Sequence, residues 1–156
     1  MNNVRISKYI DNNYKENGDW TSISDIGKKF NNKILTRREY LSVENQYLNC
    51  VDKILLLSDQ SYLTINSFEH YKRVPWKDNQ KIEMNKINRF LRDCLREKCW
   101  ARLIGNDFYL HIGYDFYLYI GTSLDMNSIV KIVKENNLFC EEMISPYLHI
   151  DKEDQS

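Results

Sequence analysis

Residues 108–121 read FYLHIGYDFYLYIG. Phe108, Leu110, Ile112, Tyr114, Phe116, Leu118 and Ile120 take the even positions, and Tyr109, His111, Gly113, Asp115, Tyr117, Tyr119 and Gly121 the odd ones. An unbroken period of two marks extended chain with two chemically different faces. A two-residue turn at Gly113-Tyr114 would pair Ile112 with Asp115 and break the parity. A three-residue loop prefers Gly in its last, left-handed position, where Asp115 stands. The stretch therefore reads as one long strand bulged near Gly113, entered through a type II′ turn at Gly105-Asn106.

That turn sets Arg102 across from Tyr109 and Trp100 across from His111. One face then collects Trp100, Arg102, Tyr109, His111, Asp115, Tyr117 and Tyr119, and holds no Leu, Ile or Val. Trp, Tyr and Arg dominate binding hot spots because they join large contact area to a polar handle, so this face is expected to be displayed to a partner. The plainer reading is a row of half-buried tyrosines with their hydroxyls at the rim.

Working outward, Thr36-Arg37-Arg38-Glu39 is a capping box that opens a helix to about Leu57, with Tyr40, Val43, Tyr47, Val51, Ile54 and Leu55 at helical spacing. Tyr62–Phe68 is β-rich, and Val74-Pro75-Trp76 breaks the chain. Asp78 is the expected cap of a second amphipathic helix over 81–97, carrying Met84, Ile87, Leu91, Cys94 and Leu95 inside and Lys81, Lys86, Arg89, Arg92 and Arg96 outside. A strand over Cys99–Ile104 precedes the hairpin. Asp125 or Ser123 caps a short helix ending near Asn137, and Leu138–Ile144 is a last strand. The expected class is α+β: a single domain over 1–156, with a largely antiparallel sheet of about four to five strands packed with two to three helices. Residues 1–35 are the least legible, and 151–156 read as a frayed tail.

The 156 residues suffice for one core without disulfides or metals. No apolar run is long enough to serve as a signal or a membrane span, so the expected compartment is the cytoplasm. Cys50, Cys94, Cys99 and Cys140 stand singly and are expected as reduced, buried thiols; no metal or cofactor is indicated. The net charge is zero, yet residues 1–100 carry 18 basic and 13 acidic side chains while residues 101–156 carry 4 and 9. His111 and Asp115, four residues apart on a strand, would be roughly 13 Å apart, too far to work as acid and base. Glu141 and Glu142 join Asp107, Asp115 and Asp125 in an acidic surface that complements a basic nuclease groove.

The segments DIGKKFNNKILTRREYLSVENQYL (25–48) and FYLHIGYDFYLYIG with LFCEEMISPYL (108–121 and 138–148) resemble the immunity proteins of contact-dependent growth inhibition and other polymorphic toxin systems. The resemblance implies a bacterial, non-enzymatic toxin inhibitor that binds the C-terminal domain of a cognate toxin, commonly a nuclease, and plugs its active site or substrate path. The expected partner-binding residues, taken from parity and charge, are Trp100, Arg102, Tyr109, His111, Asp115, Tyr117, Tyr119, Glu141 and Glu142, on a monomer or weak dimer with no membrane partner. One rival is a nucleic-acid-binding or processing domain using the basic helix 81–97 and His111. Another is a scaffold whose sheet face pairs with itself.

Overall fold

The computed structural model describes residues 1–10, 18–113 and 115–148. Tyr114, His149 and the tail 151–156, on which sequence expectations fell, lie outside the described residues.

Period-two alternation organises the sheet. Val4 and Ile6 in β1 (Asn2–Ser7), Leu63 and Ile65 in β4 (Tyr62–His70), Leu103 in β6 (Cys99–Gly105), Leu110 in β7 (Phe108–Ile112), and Leu118 and Ile120 in β8 (Leu118–Thr122) share one face. All are buried in the same cluster as the apolar stripes of the helices. With β5 (Lys81–Glu83) and β9 (Phe139–Glu142) the strands run in the order β5-β4-β6-β7-β8-β1-β9, every neighbouring pair antiparallel. A two-stranded ribbon, β2 (Lys29–Phe30) with β3 (Lys33–Ile34), stands apart.

The α+β class holds, and the main sheet has seven strands instead of four or five. β1 escaped the sequence reading because its Asn-rich opening carries only Val4 and Ile6 as inward residues, and β5 because three residues make no period.

Helix α1 (Arg37–Leu57) begins where expected, with Thr36 Oγ1 accepting the Glu39 amide at 3.1 Å. Helix α2 (Met84–Leu95) starts later than expected, because Ile82 pairs with Leu63 as a strand residue first. Asp78 does not cap it; its carboxylate accepts the Phe68 amide at 3.2 Å. Helix α3 (Met126–Glu135) is capped by Asp125, which accepts the Ser128 amide at 3.0 Å.

Glu44 ties α1 to α2 from a buried position. It accepts from Tyr40 Oη at 2.8 Å, Arg92 Nε at 3.1 Å and both Arg96 Nε and Nη2 at 2.9 Å. Burial by itself would raise its carboxyl pKa, but the hydrogen bonds from Arg96 and Tyr40 outweigh it and hold the group below its ordinary value. Two of the five cations assigned to the outer face of the second helix are thus committed to a structural carboxylate.

Residues 108–121 form a hairpin, not one long strand. Ile112 pairs with Leu118 around a five-residue loop, 113–117, and an odd loop length preserves the parity. The left-handed residue is Phe116, at φ +65°. A bulky residue there costs of order 1 kcal/mol or more. Packing offsets the strain, with the Phe116 ring 5.3 Å from Tyr47, 5.4 Å from Trp20 and 6.0 Å from Tyr40. Phe116 and Tyr117 are buried, so carbonyls of this segment need donors. Tyr9 Oη donates to Asp115 O at 2.6 Å, Tyr47 Oη to Phe116 O at 2.7 Å, and the Gly113 amide to Tyr117 O at 2.8 Å.

The preceding turn also moves by one residue: Gly105 pairs with Phe108, leaving Asn106-Asp107 as the turn, with Asp107 at φ +48°. Gln60 fixes it from outside, accepting the Asn106 amide at 3.0 Å and donating to its carbonyl at 2.8 Å. A side chain on Gly105 would collide with Gln60.

Tyr47 Oη also accepts the Lys8 amide at 2.8 Å. Tyr47→Phe leaves an amide and a carbonyl without this hydroxyl, and the expected loss is about 1–3 kcal/mol in urea-unfolding free energy. A loss under about 0.5 kcal/mol would show that the loop does not depend on the hydroxyl.

Candidate functional site

The second face of the sheet is built from a single row of Cα partners crossing six strands: Asn66, Arg102, His111, Tyr119, Arg5 and Glu141. Beside it run Ile104, Tyr109, Gly121 and Asn3. Arg102 therefore stands across from His111 and Ile104 across from Tyr109, not Arg102 from Tyr109 and Trp100 from His111, and the face does hold an aliphatic side chain, Ile104. Trp100, at the start of β6, donates from Nε1 to Ile112 O at 2.7 Å. Trp100, Arg102, Tyr109, His111 and Tyr119 therefore do share a face, as parity required.

That face is not displayed. Trp100, Arg102, Tyr109, Tyr117 and Tyr119 are buried and His111 is 0% exposed. The cover is the chain after β9, which crosses back over the sheet as a strap from Met143 to Leu148. The Met143 amide donates to Asn3 O at 3.1 Å, and the Ser145 amide to Tyr109 Oη at 3.4 Å. Ser145 Oγ lies 2.7 Å from His111 Nδ1, and Arg102 Nη1 donates to Tyr147 O at 3.3 Å. The Tyr147 ring stands edge-on to Trp100 at 5.3 Å, Tyr119 at 5.8 Å and His111 at 6.2 Å. An aromatic face with polar tips is as good a seat for the protein's own strap as for a partner, and the residue types alone do not distinguish the two.

Inside this layer most polar tips have a partner. Tyr109 Oη donates to Asn3 Oδ1 at 2.6 Å, and its ring stacks on His111 at 4.7 Å. It lies across Gly121, where a side chain would run into that ring. Arg102 Nη2 donates to Ser67 Oγ at 2.5 Å. Arg5 sits 4.2 Å over the Tyr117 ring and pairs with Glu141. His111 Nε2 is buried with no hydrogen-bond partner among the described residues. Burial, and after it the charge of Arg102, hold the imidazole down to a pKa of about 3, so it is neutral at ordinary pH.

His111 and Asp115 do not act together, although a loop and not a continuous strand joins them. Asp115 turns its carboxylate to the Tyr117 amide at 3.4 Å, while His111 faces Ser145, Tyr109 and Tyr147. His111 also does not share a site with the basic helix: α2 is tied through Glu44 to α1, whose end meets Thr122 on the aliphatic side of the sheet, whereas His111 faces the strap. Among the described residues no group of three or more His, Cys, Asp or Glu side chains is placed to hold a metal ion, and no helix is long and apolar enough to cross a membrane.

Of the nine expected partner-binding residues, Glu141 and Glu142 are exposed and Asp115 is partly so. The two glutamates lie on β9, the terminal strand of the sheet, beside Phe139 at 39% and Ile144 at 60% exposure. A groove of about 420 Å³ opens at this margin, lined by Met1, Asn3, Met126, Glu142, Met143 and Ile144 among others. Sequence reading missed this apolar component and the strap; the signal was SPY at 145–147, a turn followed by one more tyrosine after the last strand.

Compared with known proteins, the chain matches no protein-family model, no curated protein and no solved structure.

The low pKa of His111 has a defined consequence for stability. Above the ordinary value near 6.5 both folded and unfolded states are neutral. Between about 6.5 and about 3 only the unfolded state takes up the proton, so stability falls as the pH falls, by up to roughly 1.4 kcal/mol per unit. His111→Asn, which keeps a polar atom near Ser145 and removes the titration, is expected to flatten this part of the stability curve. Chemical denaturation of both proteins from pH 7 to pH 4 measures it, and parallel curves would show that His111 is not responsible.

Proposed function

We propose that the chain is a bacterial immunity-type protein: a cytoplasmic binder that neutralises the C-terminal domain of a cognate toxin, a nuclease, by occluding its active site or substrate path. The single observation that carries this reading is the β9 margin. There two exposed carboxylates, Glu141 and Glu142, stand beside two exposed apolar side chains, Phe139 and Ile144, on the open edge of a sheet. Glu141, already paired with Arg5, and Glu142 point to opposite faces of β9, and Glu142 is the one that lines the groove with Ile144; an exposed carboxylate there matches a basic, phosphate-binding groove in sign, which speeds encounter and sets orientation. Exposed apolar surface at the terminal strand of the sheet supplies the contact that electrostatics alone does not. In this reading the buried aromatic layer is the rigid support of the margin. The resemblance of segments 25–48, 108–121 and 138–148 to immunity proteins points the same way.

A nucleic-acid reading draws on a different surface. Lys72, Arg73, Lys77, Lys81, Lys86 and Arg89 remain exposed around β5 and α2. Arg92 and Arg96 are withdrawn to Glu44, and His111 is on the opposite face, so what is left is a charged surface without a reactive group beside it.

Co-expression with the toxin-domain gene adjacent to this one tests the proposal. The expected result is relief of growth arrest and a stable complex in solution. Glu141→Lys with Glu142→Lys is expected to weaken that complex at least tenfold at low salt and less at high salt, consistent with screening of exposed charge. Lys86→Glu with Arg89→Glu is expected to leave it unchanged. Tight RNA or DNA binding, lost in the second pair and kept in the first, would overturn the proposal in favour of the nucleic-acid reading.

A further inference from the structure

The four cysteines, single in the sequence, do not stay single in space: Cys94 Sγ lies 3.7 Å from Cys99 Sγ. The turn that ends α2 brings them together. The Arg96 amide donates to Arg92 O at 3.0 Å, Glu97 takes φ +60°, and the Lys98 amide reaches back to Asp93 O at 3.0 Å. This last bond spans five residues, as Schellman closures do, and it folds position 99 back beside position 94. Both thiols are free; Cys99 is 1% exposed and Cys94 packs at the edge of the core. A disulfide needs a sulfur separation of about 2.05 Å, so about 1.7 Å of approach shared between two side chains would close it.

The junction also gathers the contacts that dock α2. Asp93, the residue before Cys94, accepts from Trp76 Nε1 at 2.8 Å and pairs with Lys98 at 3.9 Å, while Arg92 and Arg96 reach Glu44 on α1. Cys99 opens β6, a strand at the middle of the sheet. A covalent link here would fasten the end of α2 to the sheet's interior.

We propose that Cys94 and Cys99 are a redox couple, a dithiol that a low-molecular-weight disulfide oxidises to an intramolecular Cys94–Cys99 disulfide. Cys94 gives its proton to solvent, and its thiolate attacks one sulfur of the disulfide RSSR. The mixed disulfide forms as RS⁻ leaves. Cys99, as thiolate, then attacks the Cys94 sulfur, closing the protein disulfide and expelling the second RS⁻. Two protein thiols are oxidised, one RSSR is reduced to two RSH, and the protons balance through solvent. Burial raises the Cys94 thiol well above its ordinary pKa, so its thiolate is scarce near neutrality and the couple reacts slowly, faster as the pH rises. Cys140, partly exposed on β9, is an internal comparison.

The test is incubation of the purified full-length protein with oxidised glutathione, followed by peptide mass mapping without reduction. The expected product links the Cys94 and Cys99 peptides with the loss of two hydrogens, reverts with dithiothreitol, forms faster at pH 9 than at pH 7, and raises the melting temperature by roughly 5 °C, the order expected for a short cross-linked loop. Cys140→Ser is expected to leave the link unchanged, and Cys94→Ser to abolish it. Mapping the wild-type chain needs no variant, so a poorly folded Cys94→Ser protein would not obscure the result. Free thiols at both positions, separate glutathione adducts on each, or a link that appears only in urea would overturn the proposal.

Discussion

β7 and β8 are buried along their whole length and on both faces, and the rest of the molecule follows from that constraint. An antiparallel sheet commonly covers one face and leaves the other to water. Here the central hairpin has a side chain to hide at every position, so a single layer of helices is not enough. The aliphatic face takes α1, α2 and α3. The aromatic face takes the strap, whose Tyr147 ring touches Trp100, His111 and Tyr119 together.

The two layers are held by different physics. Under the helices the interaction is apolar burial, with Glu44 as a buried charge whose three partners come from α1 and α2. Under the strap it is aromatic contact combined with hydroxyl, imidazole and guanidinium groups, most of which find a partner inside while, among the described residues, His111 Nε2 does not. Such a layer is specific in its geometry, because a wrong register would leave several polar tips buried and unmet. It also explains why a side chain cannot be tolerated at Gly121, where the Tyr109 ring fills the space. The outer margin of this rigid layer is where the accessible carboxylates and apolar side chains of β9 stand, and a surface backed by a fixed layer loses little entropy when it is gripped.

Much of the fold was legible. The period of two in 108–121 assigned Tyr109, His111 and Tyr119 to one face, a tight turn before it added Trp100 and Arg102, and the capping residues Thr36 and Asp125 marked two helix starts. What failed did so for identifiable reasons. The loop at 113–117 was read as strand because its left-handed residue is Phe116, and no local rule places a phenylalanine there; Trp20, Tyr40 and Tyr47 do. The turn at Asn106-Asp107 was placed one residue early because the group that fixes it, Gln60, lies far away in sequence. Asp78 was assigned to a helix cap and instead serves a neighbouring strand end.

The candidate site divides along the same line. Sequence by itself determined the α+β class, the identity of the two faces and the acidic character of the last third, because parity, capping and charge are properties of residues and their near neighbours. Only the tertiary structure decided that both faces of the central hairpin are covered, that His111 has no partner carboxylate among the described residues, and that Cys94 and Cys99 touch. Each of those depends on the path of chain distant in sequence or on the closing geometry of a turn: the strap from Met143 to Leu148 seals the aromatic face, and the last turn of α2 folds one thiol onto the other.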